Sequence, residues 1–135
     1  MKELVVPATI ENIEKVTEFV NKELANLNCP PKAKAEIDIV IDELFSNIAN
    51  YAYNPEVGEA TVNIEVEDNP QAVVLTFMDK GVPYNPLAKA DPNTKLSIEE
   101  RGVGGLGIFM VKKSMDSIEY EYKEGRNILK VKKNL

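Results

Sequence analysis

A glycine-rich stretch near the carboxyl end carries the strongest chemical signal in the sequence. Residues 101–107 read Arg-Gly-Val-Gly-Gly-Leu-Gly and hold four of the seven glycines of the chain, and an apolar helical stretch, 108–115, follows directly. Glycine lacks a Cβ, so a ligand can approach the backbone closely, and a helix N-terminus favours negative charge. The guanidinium of Arg101 suits phosphate oxygens. The stretch is therefore a candidate phosphate site, with a flexible turn as the alternative.

A second group of polar side chains follows helical spacing. Glu43, Asn47 and Asn50 stand at i, i+4 and i+7, which places a carboxylate and two amides on one helix face. A carboxylate can activate a nucleophile as a general base, and an amide oxygen is a hard ligand that suits Mg²⁺. Most flanking residues are apolar, so this polar face is narrow and belongs to a largely buried helix. The alternative is an ordinary solvated helix face.

A third candidate closes a predicted strand, where the sequence reads Asp79-Lys80-Gly81. The Asp79 carboxylate can accept a hydrogen bond from an exocyclic amine such as that of adenine. Gly81 lets a flat base approach the backbone. The alternative is a β-turn, because aspartate and glycine are common turn residues.

Composition narrows the classes of function. The chain has 135 residues, 44% hydrophobic and 28% charged, which predicts one globular domain with a sizeable core. Its net charge of −6 argues against nucleic acid as the main partner, and the absence of histidine excludes a histidine base or phosphoacceptor. The single cysteine, Cys29, is interpreted as a packing residue. The absence of a disulfide partner, a signal segment and a membrane-spanning run predicts a cytoplasmic location.

Hydrophobic periodicity predicts the element order β-α-α-β-β-lid-α-β-β, with "lid" denoting residues 80–101. A helix is predicted over 10–27 with Thr9 as its N-cap, and a second from Pro31 to about Asn54-Pro55. Alternation predicts strands over 62–66 and 72–78 and a closing hairpin over 118–131 that turns at Gly125-Arg126. Short turns make these strand pairs antiparallel. The expected fold class is α+β, a two-layer sandwich with helices on one face of a mostly antiparallel mixed sheet.

The three motifs together resemble the gyrase/Hsp90/histidine-kinase/MutL ATPase superfamily, whose fold is of the Bergerat type. Glu43-x-x-x-Asn47, Asp79-x-Gly81 and the glycine stretch occur in the order and spacing of that superfamily. The anti-sigma factor serine kinase branch is the most similar, through three phrases of this sequence: Ile-Asp-Glu-Leu-Phe-Ser-Asn, Phe-Met-Asp-Lys-Gly and Glu-Arg-Gly-Val-Gly-Gly-Leu-Gly-Ile. The resemblance covers essentially the whole chain and implies one histidine-kinase-like ATPase domain over residues 1–135.

The resemblance also implies roles for individual residues, with ATP lying between the helices and the lid. Glu43 would be the general base on a protein serine, and Asn47 would hold Mg²⁺. Asp79 would bind the adenine amine and Gly81 would pack on the base. The remaining cofactor-binding candidates are the polar-face residue Asn50, the phosphate-binding residues Arg101, Gly102, Gly104, Gly105 and Gly107, and Asn127 near the base.

Two positions depart from the pattern of many relatives. Tyr51 stands where a histidine often follows the motif asparagine, and Asn127 stands where a threonine is common near the final turn. Neither departure removes a phosphate-binding group. Both leave nucleotide affinity and substrate choice open.

The function that the resemblance implies is a cytoplasmic, ATP-dependent protein serine kinase that is also an anti-sigma factor. Its substrate would be a STAS-type anti-sigma factor antagonist and its second partner a sigma factor, with Lys15 as a candidate partner contact. No direct nucleic-acid or membrane partner is expected, and a homodimer is one expected assembly. The alternative is a nucleotide-gated partner-binding switch with little or no kinase activity.

Overall fold

A computed structural model describes residues 1–53, 56–88 and 105–135, with only the backbone at 88, 105 and 106. The described strands are β1 (Lys2–Pro7), β2 (Glu59–Glu67), β3 (Ala72–Asp79), β4 (Ser117–Lys123) and β5 (Arg126–Asn134). The described α-helices are α1 (Ile13–Leu24), α2 (Pro31–Asn47) and α3 (Gly105–Ser114). Single turns of other helix types occur at Ile10–Asn12, Ile48–Ala52 and Pro86–Ala88. The greater part of the predicted lid, 89–101, lies outside the described residues.

The five strands form one sheet in the order β1-β2-β3-β5-β4. All four described pairings are antiparallel. The predicted order of the strands and α-helices and the α+β fold class are therefore confirmed. The turn of the closing hairpin contains Glu124 and Gly125 with φ values of 54° and 76°, the left-handed conformation that two-residue hairpin turns require.

The helices cover one face of the sheet, here called the covered face, and the other is called the open face. Successive strand residues point to opposite faces, so every second side chain of β2, β3 and β5 enters the core. Val62, Leu75 and Phe77 are examples from the sheet, and Ile41 and Phe45 meet them from α2, all at most 1% exposed. This apolar layer fixes the position of α2 over the sheet.

The first predicted helix needs correction at both ends and the second at its C-terminal end. The first begins with a 3₁₀ turn at 10–12, becomes α-helical at Ile13 and ends at Leu24, short of the predicted residue 27. Thr9 precedes that turn in extended conformation, but its hydroxyl accepts a hydrogen bond from the Asn12 side chain (3.0 Å) instead of capping a backbone N–H. The second helix begins at Pro31 as predicted, yet its α-helical part ends at Asn47 and a π-helical turn follows.

Cys29 is half-buried against the core, and burial raises the pKa of its thiol, which fits the predicted packing role. Within the described ranges, no helix is both long and apolar enough to cross a membrane.

Candidate functional site

A cavity opens on the covered face where α2 ends above β3 and β5. It encloses about 50 Å³, and its empty space is about 470 Å³ when the open mouth is included. Its walls are mostly apolar and include Ile48, Ala52, Phe77, Val82 and Leu129. Three of the predicted site residues also line it: Asn47, Asp79 and Asn127. An apolar cavity with a few convergent polar groups is the usual form of a binding site for an organic ligand.

Asp79 and Asn127 are the buried polar residues of the described chain, at 7% and 6% exposure. They face each other on adjacent strands, and the Asn127 Nδ2 donates to Asp79 Oδ1 over 2.9 Å. The Gly81 N–H donates to the same oxygen over 2.8 Å. Asp79 Oδ2 accepts no hydrogen bond from the described residues. The carboxylate is thus held through one oxygen and keeps the other as an acceptor.

The Asn127 amide makes three further hydrogen bonds. Its Nδ2 also donates to the Val82 carbonyl (2.8 Å), while its Oδ1 accepts from the Tyr84 N–H (3.0 Å) and from the Tyr120 hydroxyl. The Tyr120 hydroxyl is the donor in its bond to Oδ1, and burial raises the pKa of this phenol. A primary amide has two N–H donors and two acceptor sites, and all four are used here.

Gly81 lies where the π-helical turn meets the segment after β3. A Cβ at this position would overlap the Ala52 backbone carbonyl, and the same carbonyl accepts the Val82 N–H over 3.1 Å. Tyr53 strengthens the junction, because its hydroxyl donates to the Glu59 carbonyl (2.6 Å) and accepts the Lys80 N–H (2.7 Å). Close packing against Ala52 therefore requires glycine at position 81. The predicted contact of Gly81 with a base stays a prediction.

Glu43 lies against the first turn of α3. A Cβ at Gly107 would overlap the Glu43 carboxylate, so a side chain at this position would displace that carboxylate. Asn47 is four residues further along α2, about 6 Å at the helical rise, and faces the cavity. Along α2, the carboxylate at the glycine-rich helix is therefore followed one turn later by an amide that lines the cavity.

The structure does not bring every predicted residue to this place. Asn50 is exposed and is not among the cavity residues, because the π-helical turn at 48–52 changes the angle between successive side chains. Gly105 opens α3 beside Gly107. Arg101, Gly102 and Gly104 lie outside the described residues, so their phosphate-binding role stays a prediction.

Sequence reasoning missed the tyrosines of the cavity as site residues. Tyr51 and Tyr84 form a tilted pair at its edge, with ring centroids 6.5 Å apart and planes at 39°. Tyr120 holds Asn127 from β4. Alternation with Ile118 could have placed Tyr120 on the covered face, whereas no pattern in the sequence marks Tyr84.

The donor set decides which groups fit the site. Among the described residues, no cluster of three or more histidine, cysteine, aspartate or glutamate side chains could hold a metal by itself. A Mg²⁺ ion bound chiefly by phosphate oxygens and water needs only one or two protein ligands. The amide of Asn47, lining the cavity one turn from Glu43, fits that smaller requirement.

Two named protein kinases are similar in sequence to part of this chain. Serine/threonine-protein kinase BtrW of Bordetella bronchiseptica is 25% identical over 93 residues, which cover 69% of this chain and 65% of that protein. Serine-protein kinase RsbW of Bacillus mycoides is 28% identical over 101 residues, which cover 72% and 62%. The matches therefore span less than two thirds of the length of these relatives.

The fold also occurs in a solved structure. The crystal structure of the RsbU and RsbW domains of Rv1364c from Mycobacterium tuberculosis superposes with a TM-score of 0.64, at 15% identity, over 100% of this chain and 33% of that one. At this identity the likeness concerns the fold. Residues 6–133 match the family model described as the histidine kinase-like ATPase domain, a family that implies ATP binding. The chain belongs to the histidine kinase-like ATPase domain family.

Proposed function

We propose that this chain is an ATP-dependent protein serine kinase and anti-sigma factor. It phosphorylates a STAS-type anti-sigma factor antagonist and sequesters a sigma factor, and it works in the cytoplasm. The kinase names of two relatives support the reaction class, and the resemblance to the anti-sigma factor branch supports the partners. Lys15 on α1 is the proposed partner contact.

The position of Glu43 is the observation that carries this proposal. Its carboxylate touches the first turn of the glycine-rich helix, and Asn47, one α2 turn further on, lines the ligand cavity. An ATP molecule with its adenine in the cavity would direct its phosphates toward α3, where helix N–H groups favour anions. A carboxylate at that end of the nucleotide is where phosphoryl transfer needs a proton acceptor.

The proposed step is transfer of the γ-phosphoryl group to a serine hydroxyl. The serine oxygen forms a bond to phosphorus as the bond to the β,γ-bridging oxygen breaks, and ADP leaves. The hydroxyl proton passes to the Glu43 carboxylate, since the chain has no histidine to take it. Mg²⁺ held by Asn47 would neutralise phosphate charge.

One observation favours the alternative, a nucleotide-gated partner switch with little transfer. A carboxylate beside a helix N-terminus is stabilising in its own right, so the contact between Glu43 and Gly107 can serve to place α3. In that case the glutamate positions the helix in response to nucleotide and takes no proton.

Transfer kinetics separate the two functions. Antagonist candidates are first identified as proteins that co-purify with the chain with and without ATP, and phosphate incorporation from γ-labelled ATP·Mg²⁺ is then followed. Glu43→Ala should lower the transfer rate by about 10²–10⁴-fold while ATP affinity is retained, because a positioned base contributes that much. Asp42→Ala, the exposed neighbour on α2, is the matched control and should leave transfer unchanged.

Two results would count against the kinase. A Glu43→Ala protein that transfers phosphate at the wild-type rate would remove Glu43 from the role of base. A wild-type protein that holds its partners tightly with ATP, yet transfers phosphate to none of them, would favour the switch.

A further inference from the structure

The Asn127 amide joins three segments of the site through four hydrogen bonds. It holds Asp79 on β3, the segment 82–84 that follows β3, and Tyr120 on β4. We propose that Asn127 is a positioning residue that makes the cavity selective for a 6-aminopurine over a 6-oxopurine. This inference rests on the nucleotide binding of the proposed function and adds to it the residue that sets base selectivity.

The first step concerns the carboxylate that would read the base. Asp79 Oδ1 receives two donors, the Asn127 Nδ2 at 2.9 Å and the Gly81 N–H at 2.8 Å. Oδ2 accepts nothing from the described residues, so the fixed carboxylate offers one oxygen that can only accept. An exocyclic amine at purine position 6 can donate to it, whereas a 6-oxo group is itself an acceptor and is repelled. A site built around such a hydrogen bond discriminates strongly against the analogue that lacks the donor.

The second step concerns the opposite wall. Asn127 holds the Val82 carbonyl at 2.8 Å and the Tyr84 N–H at 3.0 Å, and the side chains of both residues line the cavity. The Val82 N–H is held from the other side by Ala52 at 3.1 Å. The Asn127 amide therefore fixes both the orientation of the Asp79 carboxylate and the distance between that carboxylate and the segment 82–84.

The third step concerns how Asn127 can act. Two donors, the Tyr84 N–H and the Tyr120 hydroxyl, point at its Oδ1 and so orient its Nδ2 toward Asp79. With all four bonding positions in use, Asn127 cannot also bond a purine without giving up a protein partner. Asn127 thus influences the base through Asp79 and does not contact it.

The test compares two nucleotides that differ at purine position 6. Dissociation constants of ATP·Mg²⁺ and inosine triphosphate·Mg²⁺ are measured by calorimetry for wild type and Asn127→Asp. The substituted carboxylate faces Asp79 Oδ1 in place of a donor, so the two carboxylates repel each other, and Asp79 loses the hydrogen bond that holds its free oxygen toward the base. The preference for ATP should fall about tenfold or more, mainly through weaker ATP binding, as expected for one lost hydrogen bond to a charged group.

Two further variants guard the interpretation. In Asn127→Ser the side chain is too short to reach Asp79. This variant should show the same fall in the preference for ATP, and it replaces Asn127→Asp if that variant does not fold. Val73→Ala removes a buried side chain of β3 that lies six residues before Asp79 and does not line the cavity. It should lower the melting temperature without nucleotide and leave the ratio of the two affinities unchanged.

Each remaining outcome decides against the inference. If the Asn127 variants weaken both nucleotides equally, Asn127 has only a structural role. If wild type binds ATP and inosine triphosphate equally well, the selectivity itself is absent and the inference fails while nucleotide binding stands. If wild type binds neither nucleotide, the proposed function fails together with the inference.

Discussion

Polar side chains on the two faces of the sheet differ in their burial and in their partners, although the same strands form both faces. Along β3, Phe77 and Asp79 enter the covered face and Met78 between them points to the open face. The polar groups of the covered face are buried and held by protein donors, as the bonds of Asp79 show. On the open face, Lys132 pairs with Glu67 at 2.8 Å with 37% and 46% of their side chains exposed.

This difference shows which charges carry information about function. Water can replace the partner of an exposed charge at little cost, so a surface ion pair contributes little to stability. A buried polar group without a partner costs much more, so Asp79 and Asn127 persist on the covered face only with a complete set of bonds or a ligand. Substitutions on the two faces should therefore differ in size and in which property they change.

The largest effect is expected in the apolar part of the covered face. Phe45 on α2 is fully buried, and Phe45→Ala should lower the free energy of unfolding by about 3–5 kcal/mol. Urea unfolding followed by circular dichroism measures this. Val5→Ala, at a site 48% exposed on the open face of β1, is the control and should cost far less. Equal losses from both substitutions would contradict the assignment of the core to the covered face.

A smaller effect, on binding instead of folding, is expected at the polar end of the same face. In Asp79→Asn the remaining oxygen can keep the bonds from Gly81 and Asn127, which turns the new NH₂ group toward the cavity. That donor would face the adenine amine, so ATP binding should weaken by about 1.5–3 kcal/mol while stability changes little. Calorimetry with ATP·Mg²⁺ measures the binding change.

The neighbouring residue on the strand provides the control for this prediction. Met78→Leu alters the open face one residue before Asp79 and should leave ATP affinity unchanged. Unchanged affinity in Asp79→Asn would reduce Asp79 to a turn residue. Weakened binding in both variants would show that the strand end, and not the carboxylate, responds.

The sequence predicts the elements well because local patterns determine them. Period-2 alternation marks β2 and β5, and Pro31 marks the start of α2. The π-helical turn after Asn47 has no such local pattern, and its last residue, Ala52, packs against Gly81, which is 29 residues away in the chain.

The same limit applies to the site. The spacing of Glu43 and Asn47 follows from helix geometry and needs no tertiary information. The bond between Asn127 and Asp79 depends on the pairing register of β3 and β5, residues 48 apart, and sequence spacing does not specify that register. The resemblance to the ATPase superfamily therefore predicts Asn127 as a site residue, whereas only the structure shows its four hydrogen-bond partners.

The smallest effect is expected on the open face and depends on pH. A hydrogen bond from Lys132, aided by the charges of Lys132 and Lys130, lowers the pKa of Glu67 below its ordinary value. A carboxyl whose pKa is lower in the folded state stabilises the fold above its ordinary pKa, and that contribution is lost as the pH falls through the lowered value. Glu67→Gln should thus lower stability slightly at pH 7, and the difference from wild type should vanish in strong acid and in high salt, since exposed pairs are screened. Urea unfolding of wild type and Glu67→Gln, at pH 7 and in strong acid, measures this difference in stability. A loss at pH 7 as large as that of Phe45→Ala would erase the contrast between the faces.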